Sequence, residues 1–129
     1  MAYKLLVVDD DIEIIGILKS RLSREGYSVS VAFSGEEALE QLKLIDPDVI
    51  LLDLNLPGLN GLDVLKEIRE KHDDKWRPVI IVSAKSELES LKTCYKLEAD
   101  HYLTKPCNID DILRGITTML SLIPLRIKG

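Results

Sequence analysis

The 129-residue chain is the size of one domain, and 46% hydrophobic residues can fill a core without disulfide or metal staples. A formal net charge of −5 argues against nonspecific nucleic-acid binding, and no apolar stretch approaches bilayer-spanning length. Cys94 and Cys107 lack CxxC spacing and have no metal-ligand company, so they read as reduced thiols of a cytoplasmic protein. Met1 to Lys4 run straight into a strand-like segment, which leaves no room for a signal peptide.

Residues 4–8, Lys-Leu-Leu-Val-Val, read as a strand. Residues 12–24 place Ile15, Leu18 and Leu22 on one helical face, with Gly26 as the stop. Residues 27–32 alternate as a half-exposed strand does. Ser34 and Glu37 make a capping box that opens a helix through Ala38, Leu39 and Leu42. Residues 48–53 are β-favouring and end at a carboxylate, Asp53, shortly before Pro57-Gly58. Asn60 caps a helix over 61–71 with Leu62, Leu65 and Ile68 inward. Residues 78–83 read as a buried strand with its proline at the first position. Ser86 and Glu89 make a second capping box, and Leu88, Leu91 and Tyr95 are expected inside. A short strand over 101–103 follows. Asn108 then caps a last helix with a stripe of Ile109, Ile112, Leu113, Ile116, Met119 and Leu120, which Pro124 is expected to end. The domain is therefore drawn as 1–123, with 124–129 as a C-terminal tail.

Strand and helix alternate five times. That pattern predicts an α/β fold: a flavodoxin-like (βα)5 doubly wound parallel five-stranded sheet in the order 2-1-3-4-5. Ligands of such sheets bind at the carboxyl ends of the strands. Those ends carry Asp9-Asp10-Asp11, Asp53, Ser83 and Lys105-Pro106. Two carboxylates ~4 Å apart at an effective dielectric of ~20 repel by about 4 kcal/mol, so the rim must protonate, recruit a cation or pair with Lys105. Hard oxygen ligands with few protein contacts suit Mg2+, which often bridges to phosphate oxygens. With Lys105 as second cation and Ser83 as hydroxyl donor, the set points to phosphoryl transfer with Asp53 as nucleophile. Singly, each residue has a plainer reading: a helix cap for the Asp run, a turn for Ser83, an exposed loop for Lys105.

The blocks Val7-Val8-Asp9-Asp10-Asp11, Asp48 to Gly58, Val82-Ser83-Ala84-Lys85 and Tyr102-Leu103-Thr104-Lys105-Pro106 resemble the CheY-like receiver domain of two-component response regulators, over residues 3–121. The resemblance implies that Asp53 accepts a phosphoryl group from a sensor histidine kinase or a histidine phosphotransfer protein. It implies Mg2+ held by Asp10, Asp53 and the backbone carbonyl of Asn55, with Asp9 assisting partly through water. Lys105 and Ser83 would contact the phosphoryl group. Ser83 and Tyr102 would form a switch pair, and Lys105-Pro106 would be cis. The fourth helix, fifth strand and fifth helix would form the output face toward an unknown downstream partner, in a monomer or a phosphorylation-dependent dimer. The chain would be a stand-alone regulator, a relay intermediate or a piece of a longer protein, with no direct nucleic-acid or membrane contact. Three positions depart from the usual pattern. Cys107 stands where phenylalanine is common, Glu98 replaces a frequent glycine, and Lys85 faces Asn55 across the site mouth, where the pair would tune phosphoryl lifetime. His72 and His101 read as surface residues. Trp76 is expected at the rim opposite Asp53. A dehalogenase-like phosphatase would want an aspartate where Asn55 stands, and a flavin-binding domain would want a phosphate-cradling loop where the acids stand.

Overall fold

The computed structural model describes residues 2–72, 74–84 and 88–126. Five strands alternate with five helices: β1 Lys4–Val8, α1 Ile12–Arg24, β2 Ser28–Ala32, α2 Gly35–Ile45, β3 Val49–Leu52, α3 Gly61–Lys71, β4 Val79–Ser83, α4 Leu88–Lys96, β5 His101–Thr104 and α5 Ile109–Arg126. All strand pairs are parallel and the order is β2-β1-β3-β4-β5. This is the expected flavodoxin-like sheet. Among the described residues, no helix is long and apolar enough to cross a membrane.

Parallel pairing forces the helices onto both faces, so the central strands must be apolar at successive positions. Leu6, Val8, Ile50, Leu52, Val79 and Ile81 pack toward residues of α2, α3 and α4. Their neighbours Leu5, Val7, Val49, Leu51, Ile80 and Val82 pack toward α1 and α5. The alternating strand β2 lies at a sheet edge, as its pattern implies.

Capping follows the sequence with small differences. Ser34 Oγ accepts from the Glu37 N–H at 3.1 Å, but Glu37 reaches back to the Phe33 N–H, one residue earlier than the box requires. Asn60 and Asn108 accept from the amides of Asp63 and Asp111 at 3.0 and 2.9 Å. The Ser86 box lies outside the described residues.

Two expectations are corrected. Tyr95 is half exposed, and Cys94 is fully buried. Cys94 and, just past the helix end, Leu97 pack into the core, while Leu91 is half-buried and the side chain of Leu88 lies outside the described residues. Pro124 does not end α5, which continues to Arg126. A proline costs its own N–H and crowds the carbonyl four residues earlier, but two residues from the helix end little of the ladder remains to be broken.

The amino-end rim carries a network that the sequence reading did not foresee. Arg77 is 3% exposed and donates to Asp46, to the Pro47 carbonyl at 2.9 Å and to Asp74 at 2.9 and 3.2 Å. Its guanidinium holds the Asp46 and Asp74 carboxyls below the usual range. Arg69 donates to Asp100 at 2.6 Å and to the carbonyls of Arg77 and Glu98 at 2.7 and 3.0 Å. Trp76 Nε1 joins Asp100 at 3.2 Å, which puts the indole at the rim opposite Asp53. His72 closes α3 as its C-cap, and His101 is half-buried near Gly115. Glu98 has φ 68°, the left-handed backbone expected where glycine is usual.

Candidate functional site at the carboxyl ends of the strands

Strand register sets the geometry. Val8 pairs with Leu52, so Asp9 and Asp53 each stand one residue beyond neighbouring strand ends. Backbone bonds extend the ladder through both: Asp53 N–H donates to the Val8 carbonyl at 3.0 Å and Asp9 N–H to the Ala32 carbonyl at 3.1 Å. Ser83 ends β4 with no exposed surface, and its carbonyl accepts from the Lys105 N–H at 2.8 Å. That bond brings the Lys105 stem to the same rim. The Lys105-Pro106 bond is cis.

The three consecutive aspartates divide their tasks. Asp11 caps α1, accepting from Glu13 and Ile14 amides at 3.0 and 3.3 Å. Asp9 turns inward and is 4% exposed, whereas Asp10 remains open to solvent. Asp53 is 5% exposed. Each buried carboxylate is fixed in the same way. One oxygen accepts from the amide two residues on (Asp11 N–H to Asp9 and Asn55 N–H to Asp53, both 3.0 Å). The other oxygen meets Lys105 Nζ, at 2.6 Å for Asp9 and 3.0 Å for Asp53. Local Asx-type turns thus aim both carboxylates before any ligand arrives.

The carboxylates gather closely enough to share one cation. Carboxylate oxygens of Asp9, Asp10 and Asp53 all lie within 4.8 Å of one another. Among the described residues they face one ammonium, Lys105, which pairs with Asp9 and Asp53. Burial pushes the Asp9 carboxyl above its ordinary range; the Lys105 bond and the Asp11 amide pull it down without cancelling that effect, and the Asp53 charge adds to it. For Lys105 burial acts downward, but the bonds and charges of Asp9 and Asp53 prevail and raise the ammonium above its usual value. The donors are hard oxygens on an open mouth, a set that suits Mg2+ with several retained waters.

Tyr102 lies on β5, paired with Ile81, and its ring packs against the cluster that contains Cys94. Its hydroxyl is buried and finds no hydrogen-bond partner among the described residues. Burial, with the charges of Cys94 and Asp53, pushes the phenol upward. Cys107 is half-buried against the α1–α5 side of the core, and burial raises its thiol. Lys85 lies outside the described residues.

Sequence reading missed one structural contributor, Gly61. A Cβ there would run into the Asp53 carbonyl oxygen and sit 2.5 Å from Leu54 Cα. The only signal was a glycine directly after a capping Asn, where a better helix former would be expected.

Residues 5–117 match the response regulator receiver domain. The chain belongs to the response regulator receiver family. It is similar in structure to a CheY-like receiver domain protein from Methanospirillum hungatei JF-1, with 29% identity and a TM-score of 0.88 over 94% of this chain and 95% of the other. It also resembles the receiver domain of the Francisella response regulator 1452, with 36% identity and a TM-score of 0.83 over 91% and 95% of the two chains. The Vibrio cholerae chemotaxis response regulator CheY4 matches at 28% identity and a TM-score of 0.85, over 92% and 99%. A receiver of two-component signalling accounts for the acidic rim, the shared lysine and the sheet order together.

Proposed function

We propose that this receiver takes a phosphoryl group onto Asp53 from a phosphohistidine of a sensor kinase or a histidine phosphotransfer protein. The supporting observation is Lys105, whose ammonium bridges Asp9 and Asp53 within the acid cluster. An Asp53 carboxylate oxygen forms the new O–P bond as the N–P bond of the donor breaks, and the leaving imidazole takes up a proton as it returns to its neutral form. Attack by water later releases inorganic phosphate and restores the carboxylate.

Asp10, Asp53 and the Asn55 carbonyl would hold Mg2+, with Asp9 assisting partly through water; the ion would neutralise charge on the transferring oxygens. Lys105 then passes from its carboxylate pair toward the phosphoryl group. Ser83 donates its hydroxyl to a phosphoryl oxygen, Tyr102 responds with its ring, and Lys85 with Asn55 tunes the approach of water. The added charge biases the α4-β5-α5 face toward a downstream protein. A full reversal from 1:99 to 99:1 needs about 5.5 kcal/mol of differential interaction, so one hydrogen bond and one ion pair give a partial switch. The chain acts as a signalling phosphoacceptor with no turnover of an outside substrate, in the cytoplasm, as a monomer or a phosphorylation-dependent dimer, without direct nucleic-acid contact.

Incubation with acetyl phosphate and Mg2+ followed by intact mass measurement tests the proposal. One phosphoryl adduct is expected on the native chain, and none on Asp53→Asn or after chelation. Labelling that survives Asp53→Asn would overturn the assignment.

A further inference from the structure

The β3–α3 connection, residues 53–60, carries Asn55, and its near end is anchored by buried Leu54 and Leu56. Its far end is gripped from outside. Glu36 Oε1, in the first turn of α2, accepts from the Leu59 N–H at 3.2 Å across 23 residues of sequence. Two glycines allow that approach. A Cβ on Gly35 would strike the Leu59 carbonyl oxygen and lie 2.9 Å from Leu59 Cβ. A Cβ on Gly58, where φ is +68°, would lie 2.6 Å from Glu36 Oε2. The first turn of α2 is thus seated directly on the loop that closes one side of the acid cluster. Without Glu36, the Leu59 N–H would lose this bond, and among the described residues the loop from Asp53 to the Asn60 cap would keep only its internal bonds and the packing of Leu54, Leu56 and Leu59.

We infer that Glu36 is a positioning residue: its carboxylate clamps the 54–60 loop and so fixes the Asn55 backbone for cation binding at the acid cluster. This rests on the reading of the cluster as a divalent-ion site. Glu36 touches neither the ion nor the phosphoryl group, so its effect passes through Leu59 and the loop backbone alone.

The test uses the full chain with Glu36→Ala and Glu36→Gln. Amide exchange is followed by NMR without metal, and Mn2+ affinity is measured by electron spin resonance. In Glu36→Ala, exchange at Leu59 is expected to speed up and Mn2+ binding to weaken by twofold to about fivefold, the upper limit being the worth of one hydrogen bond. Glu36→Gln keeps an acceptor oxygen and is expected to retain both properties within about twofold. Unchanged Leu59 exchange and Mn2+ affinity in Glu36→Ala would overturn the inference. So would a Gln variant as impaired as Ala, because the agent would then be the negative charge and not the bond. Failure of the native chain itself to bind Mn2+ would instead remove the reading of the site, while the Leu59 exchange data would still decide whether the clamp exists.

Discussion

Lys105→Met removes the only cation facing Asp9 and Asp53 among the described residues and leaves an apolar stem of similar length. The bonds lost are 2.6 and 3.0 Å long, to carboxylates only 4% and 5% exposed. Breaking a buried ion pair costs about 3–5 kcal/mol; the Lys105 side chain is 19% exposed, so the lower end, about 3 kcal/mol, applies. For a domain of this size that lowers the melting midpoint by about 10 °C. The deficit depends on pH with a definite sign. The Asp9 pKa is already raised in the fold, so its contribution to stability is full below its ordinary value of 3.8 and is lost as pH rises through the folded value. Removing the ammonium raises it further, so the variant suffers most at neutral pH and recovers as acid protonates the cluster. If the cluster takes Mg2+ as proposed, the ion is expected to restore charge balance and to stabilise the variant more than the native chain at equal concentration. Urea unfolding followed by far-ultraviolet circular dichroism, from pH 4 to 8 with and without Mg2+, measures all three effects. A variant as stable as the native chain at pH 7, or a deficit that does not change with pH, would refute the reasoning.

Tyr102→Phe deletes a buried hydroxyl that lacks a partner among the described residues, and should stabilise the fold by about 1 kcal/mol in urea titration. A lower midpoint would mean that the hydroxyl is satisfied in solution. Glu98→Gly relieves a left-handed backbone at φ 68° and is expected to be neutral or to gain about 1 kcal/mol, since the carbonyl that accepts from Arg69 stays; a clear fall in melting temperature would reject this. Gly61→Ala forces a methyl against the backbone of Asp53 and Leu54. It should cost about 1–3 kcal/mol and slow acetyl phosphate labelling, both measured on the same preparation.

The sheet and its order were legible because each strand declares its burial. Leu5 to Val8, Val49 to Leu52 and Val79 to Val82 are apolar without interruption, and runs this short, between helical segments, suit a sheet covered on both faces. Asp53 was legible because a carboxylate at the end of such a run needs a reason to be there. The convergence of Asp9, Asp53 and Lys105 followed from the sheet order and not from spacing along the chain. Other features were hidden. On α4, Leu91 is followed at helical spacing by both Cys94 and Tyr95, and the larger apolar area of the ring suggests the tyrosine; the core there, which also holds Tyr102, takes the smaller thiol. Arg77 looks like a surface residue until the fold brings Asp46, Pro47 and Asp74 around it. The intimate contact at Gly61 depends on how closely α3 meets the strand, which no periodicity encodes.

The pairing of Val8 with Leu52 has a consequence for how this pocket can evolve. Adjacent strands are held about 4.8 Å apart by their peptide bonds, so the pitch between the two inward aspartates is inherited from the ladder and not negotiated by side chains. Substitution can change which groups occupy the two posts but not the gap between them, and a slip of one residue would turn one carboxylate to the opposite face. The spacing of the two carboxylates is therefore as durable as the sheet itself, and variation has to be written into the loops around them.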